Sequence, residues 1–305
     1  MAQLWHAEHS IELAQAKRLI EAQFPALAPT SVVPLGEGWD NTVFAVNGRW
    51  AFRFPRREVA VPFIASEARL LPQLAALLPL PIPVPHFHGV PGEDYPWPFL
   101  GYTLLPGSVA AHASLDIAAR TALAAPLAHF LRALHSLPLT FAQQCAVPLD
   151  EIERLDSARR TEVTHTRLDA LVEAGVIASR APFDAALANV APYAPSATRL
   201  IHGDLHAGQI LVDAAGAISG VIDWGDVHIG DPGTDLAAVH ALLPVEAHAA
   251  FIDLYGPVEP ARWAAARTRA TWHGIALAAY GTDINDAALV QEALTSLRFI
   301  LGDTL

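Results

Sequence analysis

The sequence predicts an α+β fold with two lobes, a small β-rich N-terminal lobe and a larger helical C-terminal lobe. Three observations predict it. Short β-type runs separated by turns crowd residues 31–54, apolar positions at helical spacing dominate from about Asp116 onward, and one β-rich insert at 198–223 interrupts those helices. The lobes are expected to span residues 1–105 and 106–305, joined through 104–108. With 305 residues and 52% hydrophobic content, the chain can bury a sizeable core in each.

Each element has a local reason. Residues 10–23 carry helical spacing after Ser10, a candidate N-cap. Val32-Val33, Thr42 to Val46 and Trp50 to Phe54 read as strands, with Asn47-Gly48 as a hairpin turn. Residues 58–78 read as a helix carrying Glu67, which Pro72 should kink or divide. Residues 79–98 are Pro-rich with short extended pieces, and Phe99 to Leu105 reads as a strand closed by Pro106-Gly107. Helical patterns follow at 116–137, 150–173 and 181–190. After the insert they resume at roughly 233–243, 245–255, 260–280 and 285–301, where Trp263, Trp272 and Tyr280 read as core.

Composition excludes several classes of function. No run of about 18 residues is free of charge and Pro, so no membrane span is expected. Met1 to Ser10 lack a basic region leading into an apolar one, so no secretory signal is expected. Cys145 is the single cysteine and can form no internal disulfide, which suits a reducing cytoplasm. A net charge of −12 disfavours nucleic-acid and anionic-membrane partners. No Lys or Arg lies between Arg199 and Arg262, whereas nine acids do, among them Asp204, Asp213, Asp223, Asp226, Asp231 and Asp235. That stretch is either a solvated acidic surface or a site for a divalent metal and a positively charged ligand. His86 and His88 share a strand face, but no carboxylate or Cys completes a zinc set there.

The chemistry concentrates in residues 200–235. Asp204 follows His202-Gly203, Gln209 comes five residues later, and Asp223 follows a second apolar run. A carboxylate held on a Gly-containing turn can accept the proton of a substrate hydroxyl. An amide oxygen and a second carboxylate can ligate Mg2+, which keeps several waters and bridges nucleotide phosphates. This order of base, ligand and ligand is what phosphoryl transfer from a nucleotide needs.

At these residues the sequence resembles the aminoglycoside phosphotransferase family, a branch of the protein-kinase-like fold. His202-Gly203-Asp204-Leu205-His206 is similar to that family's catalytic loop, Ile222-Asp223-Trp224 to its metal-binding segment, and Gly230-Asp231-Pro232 with Asp235-Leu236 to the helix start that follows. The resemblance implies Asp204 as catalytic base, Asp223 as principal Mg2+ ligand with Gln209 beside it, and His202 and Asp231 as braces of the loop. Asp231 and Asp235 could equally be acids favoured by a helix N-terminus. In the N-terminal lobe, Leu35-Gly36-Glu37-Gly38-Trp39-Asp40-Asn41 resembles the nucleotide-positioning loop through Gly36 and Gly38. Trp50 to Pro55 resembles the strand whose Lys grips phosphates, Glu67 would be its ion-pair partner, and Tyr102, Thr103 and Leu104 fall in the hinge that meets the purine base. Two positions depart from the pattern. Arg53 replaces the Lys, with no other lysine in the chain but Lys17, and Gln209 replaces an Asn. The resemblance runs from about residue 31 to 243; beyond that the chain matches only in being helical.

The sequence thus leads to a cytoplasmic small-molecule kinase. It would transfer the γ-phosphoryl group of ATP or GTP, with Mg2+, to a hydroxyl of an aminoglycoside-like cationic acceptor, an activity tied to antibiotic resistance. Asp226 and Asp235 are the candidate acceptor-binding acids. A macrolide or other small metabolite is the alternative acceptor. A nucleotide-binding pseudokinase that regulates a partner is the alternative of another class, motivated by Arg53 and Gln209.

Overall fold

Antiparallel pairing of five strands builds the first of two compact units in the computed structural model, which describes residues 7–38, 40–156, 158–188, 190 and 192–302. Trp39 of the expected nucleotide loop and residues 1–6 of the expected non-signal N-terminus lie outside the described residues. The first unit takes Met1–Leu77, Pro81–Leu105 and Asp223–Gly225; the second takes Leu78–Leu80, Pro106–Ile222 and Asp226–Leu305.

In the first unit, helix α1 (Leu13–Gln23) precedes strands β1 (Val32–Glu37), β2 (Asn41–Val46) and β3 (Trp50–Pro55). Helix α2 (Val61–Leu74) and strands β4 (Pro85–Gly89) and β5 (Phe99–Thr103) follow, and the sheet runs β1-β2-β3-β5-β4. The turn between β2 and β3 places both Asn47 and Gly48 at positive φ, 53° and 61°, as the Asn-Gly pair predicts. Strand alternation sends Phe52 and Phe54 into a core with Phe44, Phe99 and Tyr95, which leaves Arg53 on the opposite face. Helix α1 begins at Leu13 with Glu12 before it, so Ser10 is not its cap. Pro72 neither divides nor ends α2, because it sits in the last turn, where a missing N–H costs a single helical bond.

The second unit opens with β6 (Ser108–Val109), α3 (Ile117–Ala122), α4 (Ala124–His135) and α5 (Leu139–Gln144). Helices α6 (Ala158–Glu173) and α7 (Ala181–Leu187) follow, then the short strands β7 (Arg199–Ile201), β8 (Ile210–Val212), β9 (Ile218–Val221) and β10 (His228–Gly230). Helices α8 (Gly233–Leu242), α9 (His248–Tyr255), α10 (Pro260–Asp283) and α11 (Ala287–Leu301) complete it. The helix expected over 150–173 starts only at 158, because Asp150 takes the Arg154 amide at 2.9 Å and Glu153 adopts a φ of 48°, a turn and not a helix. β7 pairs with β10, and β8 pairs with β6 and β9, so the β-rich insert forms two small sheets. Among the described residues no helix is long and apolar enough to cross a membrane.

Helix α8 is buried on nearly every face. His240 is part of that burial. Its Nε2 lies 3.2 Å from the Trp263 carbonyl and its ring packs edge-on to His248. Burial, reinforced by His248, pushes its pKa down to about 3. The depressed value means that the unfolded chain binds the proton more readily, near pH 6.5. The stability due to neutral His240 is therefore complete above about pH 6.5 and is lost as the pH falls towards 3. Thermal melts of His240→Gln should show a shallower loss of stability between pH 7 and pH 5 than the wild type. The difference should be on the order of 1–2 kcal/mol at pH 5.

Candidate active site

In the first unit the site is assembled around Arg53. Ile64, Glu67, Leu71 and Leu74 recur at helical spacing on one stripe of α2, so Glu67 is carried inward with its apolar neighbours and is 1% exposed. A carboxylate so buried needs partners. Arg53 supplies one at 2.7 Å and the Tyr102 hydroxyl donates to its other oxygen at 2.8 Å. The second arm of the guanidinium reaches Asp223 at 3.1 Å. Asp223 adopts a φ of 60°, and its side chain remains 51% exposed. A Cβ on Gly225 would come within 2.8 Å of the Arg53 guanidinium, so that glycine makes room for it. Burial opposes the Arg53 charge, but the Glu67 and Asp223 carboxylates outweigh it and hold the pKa above its ordinary value. Burial moves the Glu67 pKa upward, against the pull of Arg53.

The other candidates in this unit are less enclosed. Gly36 and Gly38 are exposed, and a Cβ on either would meet nothing within 4 Å. The unit's own packing therefore gives no reason for glycine there; an approaching ligand would. In the hinge, Tyr102 turns its ring to Glu67. The amides of Thr103 and Leu104 donate to Val84 O at 3.2 Å and Arg49 O at 2.9 Å. Both amides are thus engaged within the unit.

In the second unit the loop between β7 and β8 carries Asp204. Gly203 has a φ of 90°, and a Cβ there would lie 2.2 Å from the Asp226 carbonyl, so only glycine fits. The turn aims two successive amides, those of His202 and Gly203, at the Asp235 carboxylate at 2.8 and 2.9 Å. Asp235 is 0% exposed and also contacts His135 Nε2 at 3.1 Å, whose Nδ1 meets the Tyr255 hydroxyl at 2.8 Å. Burial opposes its charge, but these hydrogen bonds hold its pKa below the usual carboxylate range. His202 Nε2 lies 3.0 Å from the Ile222 carbonyl, which ties the loop to the end of β9.

Asp204 itself is 33% exposed. Its oxygens lie 3.5 Å from His273 Nε2, 3.7 Å from His206 Nε2 and 3.8 Å from an Arg269 nitrogen. Burial would raise its pKa, but His206, His273 and Arg269 together outweigh burial and hold it well below the usual range. Burial lowers the His273 pKa to about 3 and that of Arg269 to about 10, so at neutral pH the imidazole is neutral and the guanidinium charged. His206 Nδ1 accepts the Gly208 amide at 3.0 Å, which places its proton on Nε2, facing Asp204. Gln209 lies just before β8. Its Oε1 is buried without a hydrogen-bond partner, the state expected of an oxygen that ligates a cation.

Two acids hold places other than those expected. Asp235, a candidate for binding acceptor, is sealed beneath the loop with both oxygens in use; it is the loop's brace. Asp231, expected to brace the loop, instead accepts from the Tyr193 hydroxyl and the Ser196 and Gly233 amides at 2.7–2.9 Å and pairs with Arg262 at 3.0 Å. It fastens the start of α8 to the segment before β7. Asp226 is half-exposed and pairs with Arg154. The base-free acidic stretch is also neutralised from outside: by Arg53 at Asp223, Arg154 at Asp226, Arg262 at Asp231 and Arg269 near Asp204. Asp213 accepts two amides of its own turn. The charge excess seen along the chain is therefore not left facing Asp204. Sequence reading missed Arg269, His273 and Gly225. The first two stand one turn apart on α10, but no local pattern ties that helix to the loop.

Two substitutions separate bracing from chemistry. Asp235→Ala leaves two buried amides unsatisfied and should cost roughly 2–4 kcal/mol in denaturant unfolding, while a nucleotide still binds the folded protein. Glu67→Ala leaves the buried Arg53 with only the Asp223 carboxylate and the Tyr102 hydroxyl without its acceptor, and should cost about 3 kcal/mol. Arg53→Met combined with Glu67→Leu should recover most of that loss by the same assay without recovering nucleotide binding.

Comparison with known proteins places this geometry. Viomycin phosphotransferase of Streptomyces vinaceus is 36% identical over 97 residues, which is 31% of this chain and 31% of that protein. The chain's matches span only 24% to 31% of the length of the curated relatives. Among solved structures, the GDP complex of aminoglycoside 2'-phosphotransferase-IIIa is 24% identical with a TM-score of 0.71, covering 97% of this chain and 100% of that one. The GDP and kanamycin complex of APH(2")-IIia is 25% identical with a TM-score of 0.69, covering 96% and 100%. The protein-kinase-like fold expected from the sequence is thus the fold of the chain. The phosphotransferase enzyme family matches residues 31–273, beyond the expected limit at 243 and far enough to include Arg269 and His273; the chain belongs to that family.

Proposed function

We propose that this protein is a small-molecule kinase that transfers the γ-phosphoryl group of ATP or GTP to a hydroxyl of its acceptor. The observation that carries the reading is the contrast between two acids at one loop: Asp235, on α8, is sealed and holds the loop's backbone, while Asp204, on the loop itself, is held out, partly exposed and anionic. In this reading residues 1–105 bind the nucleotide and 106–305 supply the catalytic loop and the acceptor site. Arg53, oriented by Glu67, would hold nucleotide phosphates, and Gly36 and Gly38 would let the backbone approach them. Asp223 and Gln209 would hold Mg2+, which when bound neutralises charge on the transferring phosphates.

Asp204 is anionic and partly exposed, so it can accept a hydrogen bond from an approaching hydroxyl. In a loose phosphoryl-transfer transition state the nucleophile keeps its proton until late, and orientation matters more than basicity. Asp204 would accept the hydroxyl's hydrogen bond, aim its oxygen and receive the proton as the new P–O bond forms.

Kanamycin in the APH(2")-IIia complex and the name of viomycin phosphotransferase support a hydroxyl-bearing antibiotic as the first acceptors to try, aminoglycosides foremost. The arrangement around Arg53 speaks against a pseudokinase, since the arginine grips Glu67 as the family's lysine would. Asp204→Asn should lower phosphate transfer by about a thousandfold or more with nucleotide affinity nearly unchanged. Nucleotide binding by the wild type without transfer to any hydroxyl, in a panel of aminoglycosides, macrolides, amino alcohols and sugars, would sink the enzyme reading.

A further inference from the structure

Helix α6 packs along α10. Its buried stripe is Thr164, Leu168 and Leu171, and Arg160 and Arg167 flank that stripe, seven residues apart on one side of the helix. Both arginines are half-buried. Among the described residues no carboxylate comes within 4.0 Å of either guanidinium. The Asp150 and Asp156 carboxylates near Arg160 are engaged with Arg154 and Arg159. The Arg160 Nε is buried and has no hydrogen-bond partner, and another of its nitrogens reaches only the Ile152 carbonyl, at 3.3 Å. Two unneutralised, half-buried guanidinium groups are costly features in a chain of net charge −12.

Their position gives them a use. Arg160 acts electrostatically on Arg269, and Arg167 acts on His273. Arg269 and His273 are the two α10 residues that lie 3.8 and 3.5 Å from Asp204. The arginines are thus carried on the helix that packs along α10, near enough to bear on the two residues that flank Asp204. Burial first, and then repulsion from neighbouring arginines, lowers the pKa of both; a bound anion would relieve both effects. We propose that Arg160 and Arg167 form an acceptor-recognition subsite for an oxyanion group, carboxylate or phosphate, on the molecule whose hydroxyl meets Asp204. A planar guanidinium fork suits such a group, and a polyamine acceptor would be repelled from the same place. The inference rests on the kinase reading above and departs from the cationic acceptors of the relatives, replacing them with a hydroxyl compound that is also an acid.

The test assays wild type, R160Q/R167Q and R160K/R167K with Mg-ATP and Mg-GTP against glucose, gluconate, glucose 6-phosphate and kanamycin. Expected is transfer to an acidic member in preference to glucose and kanamycin, with KM raised roughly 10- to 30-fold in R160Q/R167Q and kcat within about twofold. R160K/R167K should keep part of the affinity, since it keeps the charge and loses the fork. Gluconate against glucose 6-phosphate tells carboxylate from phosphate. Transfer to kanamycin or glucose but to neither acid, or transfer to an acid with no change in R160Q/R167Q, overturns the subsite and leaves the kinase reading standing. If no acceptor is turned over, the kinase reading is in question, and the subsite is tested separately by melting the proteins in millimolar inorganic phosphate at constant ionic strength. A stabilisation seen in the wild type and lost in R160Q/R167Q supports the subsite, and an equal response in both overturns it.

Discussion

Two consecutive backbone amides, those of His202 and Gly203, converge on the buried Asp235 carboxylate, and the second unit's chemistry is arranged from that point. Here two successive N–H groups point at one anion because the backbone turns through a left-handed residue, Gly203. The same turn throws Asp204 outward. His202, anchored by its amide to Asp235, uses its ring to hold the Ile222 carbonyl, so the position of the loop also fixes the end of β9. His135 and Tyr255 extend the network to α4 and α9. Each member of this network is satisfied by the next, the condition under which a buried charge supports a unique arrangement.

Arg53 plays the equivalent part in the first unit. A lysine ammonium is a compact point charge, whereas a guanidinium presents donors on two sides in a fixed plane. Here one side grips Glu67 and the other Asp223, so the arginine links α2 to the short segment 223–225 while remaining charged. Tyr102 completes the coordination of Glu67, and the absent side chain of Gly225 leaves space for the wider head group. The replacement of lysine by arginine is thus accompanied by residues that fit its shape.

Charge along the chain and charge in space tell different stories here. The stretch from 200 to 261 holds acids and no bases, which on paper marks a cationic partner. Folding brings Arg53, Arg154, Arg262 and Arg269 to those acids. Linear charge counts cannot anticipate this, because Coulombic pairing acts over a few ångströms of space and not along the chain.

The sequence by itself determined the order of lobes, the β2–β3 hairpin, the alternation that frees Arg53 from the core and the identity of the chemical segments, because these depend on side-chain periodicity, on turn residues and on a compact motif. It also marked Glu67 through the family resemblance, as the ion-pair partner on the helix after the Arg53 strand. Only the tertiary structure decided which acid braces the loop. Asp231 and Asp235 sit four residues apart at one helix start and look alike in sequence; the direction each side chain takes separates them. Arg269 and His273 joined the site only through the docking of α10, a contact between segments more than sixty residues apart that no local pattern encodes. Helix ends at 13 and 158 escaped the sequence for a smaller reason: a capping residue or a periodic stripe permits a helix to begin, and competing turn hydrogen bonds decide whether it does.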